Sequence, residues 1–184
     1  MERRHFIAAC AASLLATPAL AQRRVVRLPR AFMPQEVDVQ PELPAGRVYV
    51  MTEQRFMYWT LGGGRARRYG IAVGAAGRNL KGEARVGRKA EWPSWIPTRN
   101  MIRMEPHIYS KYASGLPGGH EMNPMGARAL YLYRGDRDTM YRIHGTPQPW
   151  TLGRAQGSGC VRTHNDWIVD LYERVPVGTR VWVV

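Results

Sequence analysis

Carboxylates are scarce in this chain. Its 184 residues carry 14 Asp and Glu against 27 Lys and Arg, a formal net charge of +13. The cations are scattered single arginines. No lysine-rich tract is present, and no finger, RNA-recognition or helix-turn-helix spacing, so nucleic acid is not an expected partner. Cysteine is nearly absent, with only Cys10 and Cys160, too few for the disulfide framework of a small secreted scaffold. Paired spacings of the HxxxH or CxxC kind are missing around His107, His120, His144, His164 and Cys160, so neither a metal nor another cofactor is expected. No internal repeat, low-complexity tract or second domain shows. Hydrophobic residues make up 45% and charged residues 22%, which is the composition of a globular chain able to bury a core.

Long apolar runs are also lacking, with one partial exception. Phe6 to Leu20 is rich in Ala and Leu, but shorter than the about 20 residues that comfortably cross a bilayer. It follows the basic start Met1-Glu-Arg-Arg-His and ends in Ala19-Leu20-Ala21, the small-x-small pattern cut by signal peptidase. The sequence therefore predicts a signal peptide over 1–21, cleavage before Gln22, no transmembrane segment and a periplasmic location. Arg3-Arg4-His5-Phe6-Ile7 also fits a twin-arginine signal, and the general export route stays equally open. Cys10 comes too early in the apolar run for lipidation. Cleavage removes Cys10 and leaves Cys160 as a lone thiol in an oxidising compartment, where it is either an intermolecular bridge or a reactive group. In that setting the positive charge suits acidic envelope polymers.

What is present reads as strands. Residues 22–46 hold Pro29, Pro34, Pro41 and Pro44 and predict an extended leading segment with one short strand near Val37–Val39. Arg47–Met51 and Arg55–Trp59 form a hairpin signal, Leu61–Gly64 a turn, and Arg67–Val73 a further strand. Ala129–Tyr133, Met140–His144 and Thr179–Val184 read likewise, whereas Asn79–Gly126 reads as a loop-rich block. One helix is predicted over Asn165–Glu173, with Asn165 as N-cap and Asp166 in the first turn. The fold class is mainly β, one domain over 47–184, with a single clear helix after Cys160.

Cys160 invites three readings. Free cysteine often packs as a small hydrophobe, and metal ligation lacks the spacing. Gly157-Ser158-Gly159 ahead of it lets backbone approach closely and leaves the sulfur reachable. Such a turn can aim N–H groups at a developing oxyanion. A nucleophilic thiol needs a base, which His144 at the end of a strand would supply. The base needs an orienting group, and the Gly145 carbonyl can serve. Ser158 lacks the G-x-S-x-G frame of a serine nucleophile.

"IHGT" (Ile143–Thr146), then "SGCVR" (Ser158–Arg162) and Asn165 resemble the L,D-transpeptidase catalytic domain, the YkuD-like family. "YGIAVG" (69–74), "EWPSWIP" (91–97), "NPMGARALYL" (123–132) and "VPVGTRV" (175–181) resemble its other recurring stretches, so coverage runs from about Val37 to the C-terminus. The resemblance implies a β-sandwich of packed mixed sheets with Cys160 and His144 in a covered groove. It implies attack by Cys160 on a peptidoglycan tetrapeptide stem before its terminal D-Ala. His144 would move the proton, and the Gly159 and Cys160 amides would hold the oxyanion. Arg162 would either hold the site or meet a substrate carboxylate, and Ser158, Thr146 and Asn123 would lie at the substrate. The acyl acceptor would be an amine of a second stem or of an outer-membrane lipoprotein; water would make the protein a carboxypeptidase. A wall-binding protein without turnover is the third reading. Three departures put acceptor preference in doubt: Leu80-Lys-Gly-Glu where the family has Thr-Pro and then Gly, Thr163 where it has Met, and Trp167 where it has an acid.

Overall fold

The computed structural model describes residues 27–184. The expected signal peptide over 1–21 and its cleavage site lie outside them. Nine strands follow in chain order: β1 (Gln35–Asp38), β2 (Val48–Met51), β3 (Phe56–Gly62), β4 (Arg65–Gly70), β5 (Gly82–Glu91), β6 (Arg128–Arg134), β7 (Arg137–His144), β8 (Val161–Arg162) and β9 (Arg180–Val183). Three α-helices accompany them: α1 (Arg99–Met104), α2 (Pro106–Tyr109) and α3 (Asn165–Arg174).

The alternation of apolar and polar side chains decides the strand faces. In β2, Val48 and Val50 are buried while Tyr49 and Met51 are half-buried. The β3–β4 turn runs through Gly63 and Gly64 at φ of 57° and 73°, left-handed values that glycine adopts without steric cost. All nine strands join one mixed sheet in the order β1-β4-β3-β2-β9-β5-β6-β7-β8. The β2–β9 and β7–β8 pairs are parallel and the rest antiparallel.

The sheet folds over on itself. Just beyond β4, the Ala72 N–H donates to the Arg162 carbonyl at 2.8 Å and the Arg162 N–H returns to the Ala72 carbonyl at 2.9 Å. Val73 makes a similar exchange with the Arg154–Gln156 segment. The two halves of the sheet thus enclose one core, to which Val50, Met57, Ile71, Leu130, Ile143 and Val181 contribute from six different stretches. The packed layers expected of a sandwich are two parts of one continuous sheet.

Three details depart from the sequence reading. The block from Asn79 to Gly126 contains the longest strand, β5, because Ala84 and Val86 point inward between charged neighbours. The same block carries α1 and α2, neither of which buries a residue fully, so α3 is not the sole helix. The N-cap of α3 is His164, whose Nδ1 accepts from the Asp166 N–H at 3.2 Å. Asn165 is already helical, and its side chain accepts from the Ala127 N–H at 3.0 Å. Helix α3 buries Trp167, Ile168 and Leu171 against the core.

Candidate active site

The parallel pairing of β7 with β8 sets Ile143 beside Val161 and His144 beside Arg162. One step back in that register, Cys160 stands beside Arg142. Directly opposed residues in a sheet share a face. Ile143 and Val161 therefore enter the core, where both are buried. Arg142, His144, Cys160 and Arg162 turn to the other face and line a cavity of about 520 Å³. Its roof carries Met101, Tyr109 and Tyr112 from the segment of α1, α2 and the turn after them. That segment is tied down by Tyr109, whose hydroxyl is 3.2 Å from the Ser158 hydroxyl, and by Glu105, paired with Arg78 at 3.4 Å.

The glycines around Cys160 have separate physical reasons. Gly159 sits at φ 125°, where a side chain is strained. A Cβ there would also fall on the Arg78 carbonyl oxygen. A Cβ on Gly74 would collide with the Gly159 backbone, which accounts for the glycine ending Tyr69–Gly74. Gly126 and Gly145 pack against the Asn165 side chain, again without room for a Cβ.

His144 is buried, and its Nδ1 lies 2.6 Å from the Gly145 carbonyl oxygen. A carbonyl can only accept, so Nδ1 carries the proton and Nε2 is the basic nitrogen. Burial, with help from the Arg162 and Arg142 charges, pulls the imidazole pKa down to about 4. The half-buried Cys160 thiol is pushed up by burial, partly opposed by the Arg142 N–H and the Arg142 and Arg162 charges. At neutral pH the pair rests as thiol and neutral imidazole.

Arg162 faces the cavity and donates to the Gln156 carbonyl at 2.6 Å, bracing the loop before Cys160. Its burial lowers the guanidinium pKa. Ser158 lines the cavity. Two residues expected at the substrate have other tasks. Asn123 is buried, donates to the Pro93 and Pro117 carbonyls and accepts from the Met125 N–H, each at 2.9 Å, so its amide clamps three loop positions. Thr146 is also buried, and its hydroxyl accepts from the Gln148 N–H at 3.1 Å. Neither lines the cavity. His120 accepts from the Met122 N–H within its own loop. Among the described residues, no group of three or more His, Cys, Asp or Glu could hold a metal ion. The sequence reading overlooks Arg142, although its position two before His144 in a strand places both on one face.

A family model described as the L,D-transpeptidase catalytic domain, YkuD, matches residues 45–183. The chain belongs to this family, whose members act on peptidoglycan. Among curated relatives, "Probable L,D-transpeptidase ErfK/SrfK" of Salmonella typhimurium is 33% identical over 154 residues, covering 83% of this chain and 48% of the relative. The chain spans about half the length of the curated relatives it matches first. A solved Brucella melitensis structure, "Probable carnitine operon oxidoreductase caia", is 44% identical, covering 85% of this chain and 95% of that one at a TM-score of 0.57. That structure is named an oxidoreductase, whereas the family model and the curated relative are named L,D-transpeptidases. L,D-transpeptidase 3 from Mycobacterium tuberculosis shares the fold at 15% identity and a TM-score of 0.57, covering 77% of this chain and 61% of its own.

Proposed function

We propose that the protein is a cysteine L,D-transpeptidase that transfers peptidoglycan stem peptides. One observation carries this reading: β7 and the residue leading into β8 bring His144 and Cys160 to the same face of neighbouring strand ends, in one cavity. The Cys160 thiol proton passes to His144 Nε2 as the sulfur attacks the carbonyl carbon before the terminal D-Ala of a tetrapeptide stem. The Gly159 and Cys160 N–H groups hold the oxyanion that forms. Collapse breaks the peptide bond, and the D-Ala amine leaves with the proton from His144. The acyl group remains as a thioester on Cys160. An amine of a second stem, or of an outer-membrane lipoprotein, then attacks the thioester. It gives its proton through His144 to the departing sulfur, which restores the thiol. Gly145 orients the base throughout.

The site is to work in the periplasm after loss of residues 1–21. Among the described residues, no helix is long and apolar enough to cross a membrane. Purified protein, incubated with disaccharide-tetrapeptides and analysed by mass spectrometry, is expected to give crosslinked dimers, and Cys160→Ala none. Trimmed tripeptides alone would replace transfer by hydrolysis, and unchanged substrate would leave a wall-binding role. N-terminal sequencing of envelope material is expected to start at Gln22; a start at Met1 would refute export by cleavage.

A further inference from the structure

One cross-strand row of the sheet ends at the nucleophile. Register places Arg88 of β5 opposite Tyr131 of β6, and Tyr131 opposite Arg142 of β7. Arg142 in turn stands beside Cys160. The row is packed face to face: the Arg88 guanidinium lies 3.4 Å from the Tyr131 ring centroid and that of Arg142 4.2 Å. Arg142 is nearly buried and bidentate to Asp138, at 2.7 and 3.0 Å.

Strain marks the same place. Tyr133 pairs with Asp138 and Tyr131 with Arg142, so two steps along β6 face four along β7. The excess is taken up in a bulge where Met140 adopts φ 65°, a left-handed conformation that a residue with a side chain enters only at a steric cost. The Asp138 carboxylate binds the bulge, accepting from the Met140 N–H at 2.7 Å as well as from Arg142. The Met140 carbonyl then lies 4.0 Å from the Cys160 sulfur. Such an outlier persists only where its surroundings enforce it, and it clusters at sites of function.

We propose that Arg142, fixed by Asp138 and by the Tyr131 ring, is a positioning residue that sets the electrostatic environment of the Cys160 sulfur and favours the negative charge developing there as the proton leaves. The charged groups acting on the sulfur are Arg142 and Asp138 of β7 and Arg162 of β8; the neutral His144 at the end of β7 shares the cavity, Tyr131 packs on Arg142 and Tyr109 meets Ser158. The inference rests on the transpeptidase reading for its purpose but not for its test.

Iodoacetamide alkylation of Cys160 followed against pH reads the thiol without any cell-wall substrate. Arg142→Gln removes the cation, and its alkylation midpoint is expected to move to higher pH, with about tenfold slower labelling at neutral pH, the effect of one unit in thiolate fraction. Arg142→Lys is expected to restore part of the rate. Asp138→Asn keeps an acceptor for Arg142 while removing the opposing charge, so its midpoint is expected to move down. A merely structural arginine would lower thermal stability in both Arg142 variants and leave the midpoints in place. Midpoints that coincide with wild type, or that move the same way in Arg142→Gln and Asp138→Asn, overturn the inference. Should Arg142→Gln fail to fold, Arg142→Met, uncharged and of similar length, is read in its place. Crosslinked products from wild type beside unmoved midpoints would discard the row and keep the enzyme.

Discussion

His144 has a pKa of about 4 in the folded protein against an ordinary 6.5. Between those values the unfolded chain binds a proton that the folded chain refuses. Stability is therefore complete above pH 6.5, falls as the pH drops toward 4 and levels off below it; the full difference is about 3 kcal/mol. Chemical denaturation at pH 7 and pH 4.5 is expected to show this fall in wild type and to lack it in His144→Gln. Equal pH dependence in the two proteins would mean that the imidazole is not desolvated as described. At this scale the meeting of Cys160 and His144 at one cavity was legible, because glycines beside a lone cysteine and a histidine at a strand end point to a single site. Arg142 was not, since an arginine in a strand usually reads as a solvated face and its carboxylate lies a strained bulge away. Asn123 and Thr146 show backbone contacts that their sequence positions do not announce. Polar residues next to a site are as often bound to the backbone that shapes it.

Secondary structure was legible wherever apolar and aromatic residues run together between turn signals, as in β2, β3, β6 and β9. β5 escaped because Glu83, Arg85 and Arg88 stand away from the core, Lys89 takes a core-side position opposite Leu130, and Gly87 sits at a register shift; Gly87 is small because the Tyr133 ring lies against it. Helix α3 was found, but its first turn was misread. Asn165 joins α3 to the turn that orients His144, through the Ala127 N–H and the close packing of Gly126 and Gly145. Asn165→Ala leaves that buried N–H without its acceptor and is expected to cost about 1–3 kcal/mol, with helix content preserved because His164 still caps α3. Asn165→Asp keeps an acceptor and should recover part of the loss. Thermal unfolding with circular dichroism measures both. A variant as stable as wild type would show that the tether contributes nothing.

The whole molecule is strongly basic, and its cavity lining contains no Asp or Glu. Attraction between exposed charges is screened over about 10 Å at 0.1 M salt. Retention on purified sacculi is expected to weaken steadily as salt rises from low ionic strength to about 1 M, as measured by co-sedimentation; salt-independent retention would locate the affinity in the groove alone. That the described residues are mostly strand could be read from the sequence pattern. That one sheet closes on itself could not, since the closing bonds join two stretches distant in sequence and leave no local trace.

That closure has a consequence for how the protein acquires its chemistry. The segment carrying Cys160 is latched to the chain just after β4 by the reciprocal bonds of Ala72 and Arg162, by the contact of Gly74 with Gly159, and by the Thr163 hydroxyl on the Gly70 carbonyl at 2.8 Å. Contacts between distant parts of a chain form late, because their loop entropy must be overcome first. The β2–β9 pairing of Val48 with Val181 spans still more chain than the latch, so the continuous sheet cannot be complete early either. During refolding from denaturant, the far-ultraviolet signal of the sheet and the shielding of Cys160 from alkylation should therefore return together, and a Cys160 buried well before or well after the sheet would refute the coupling.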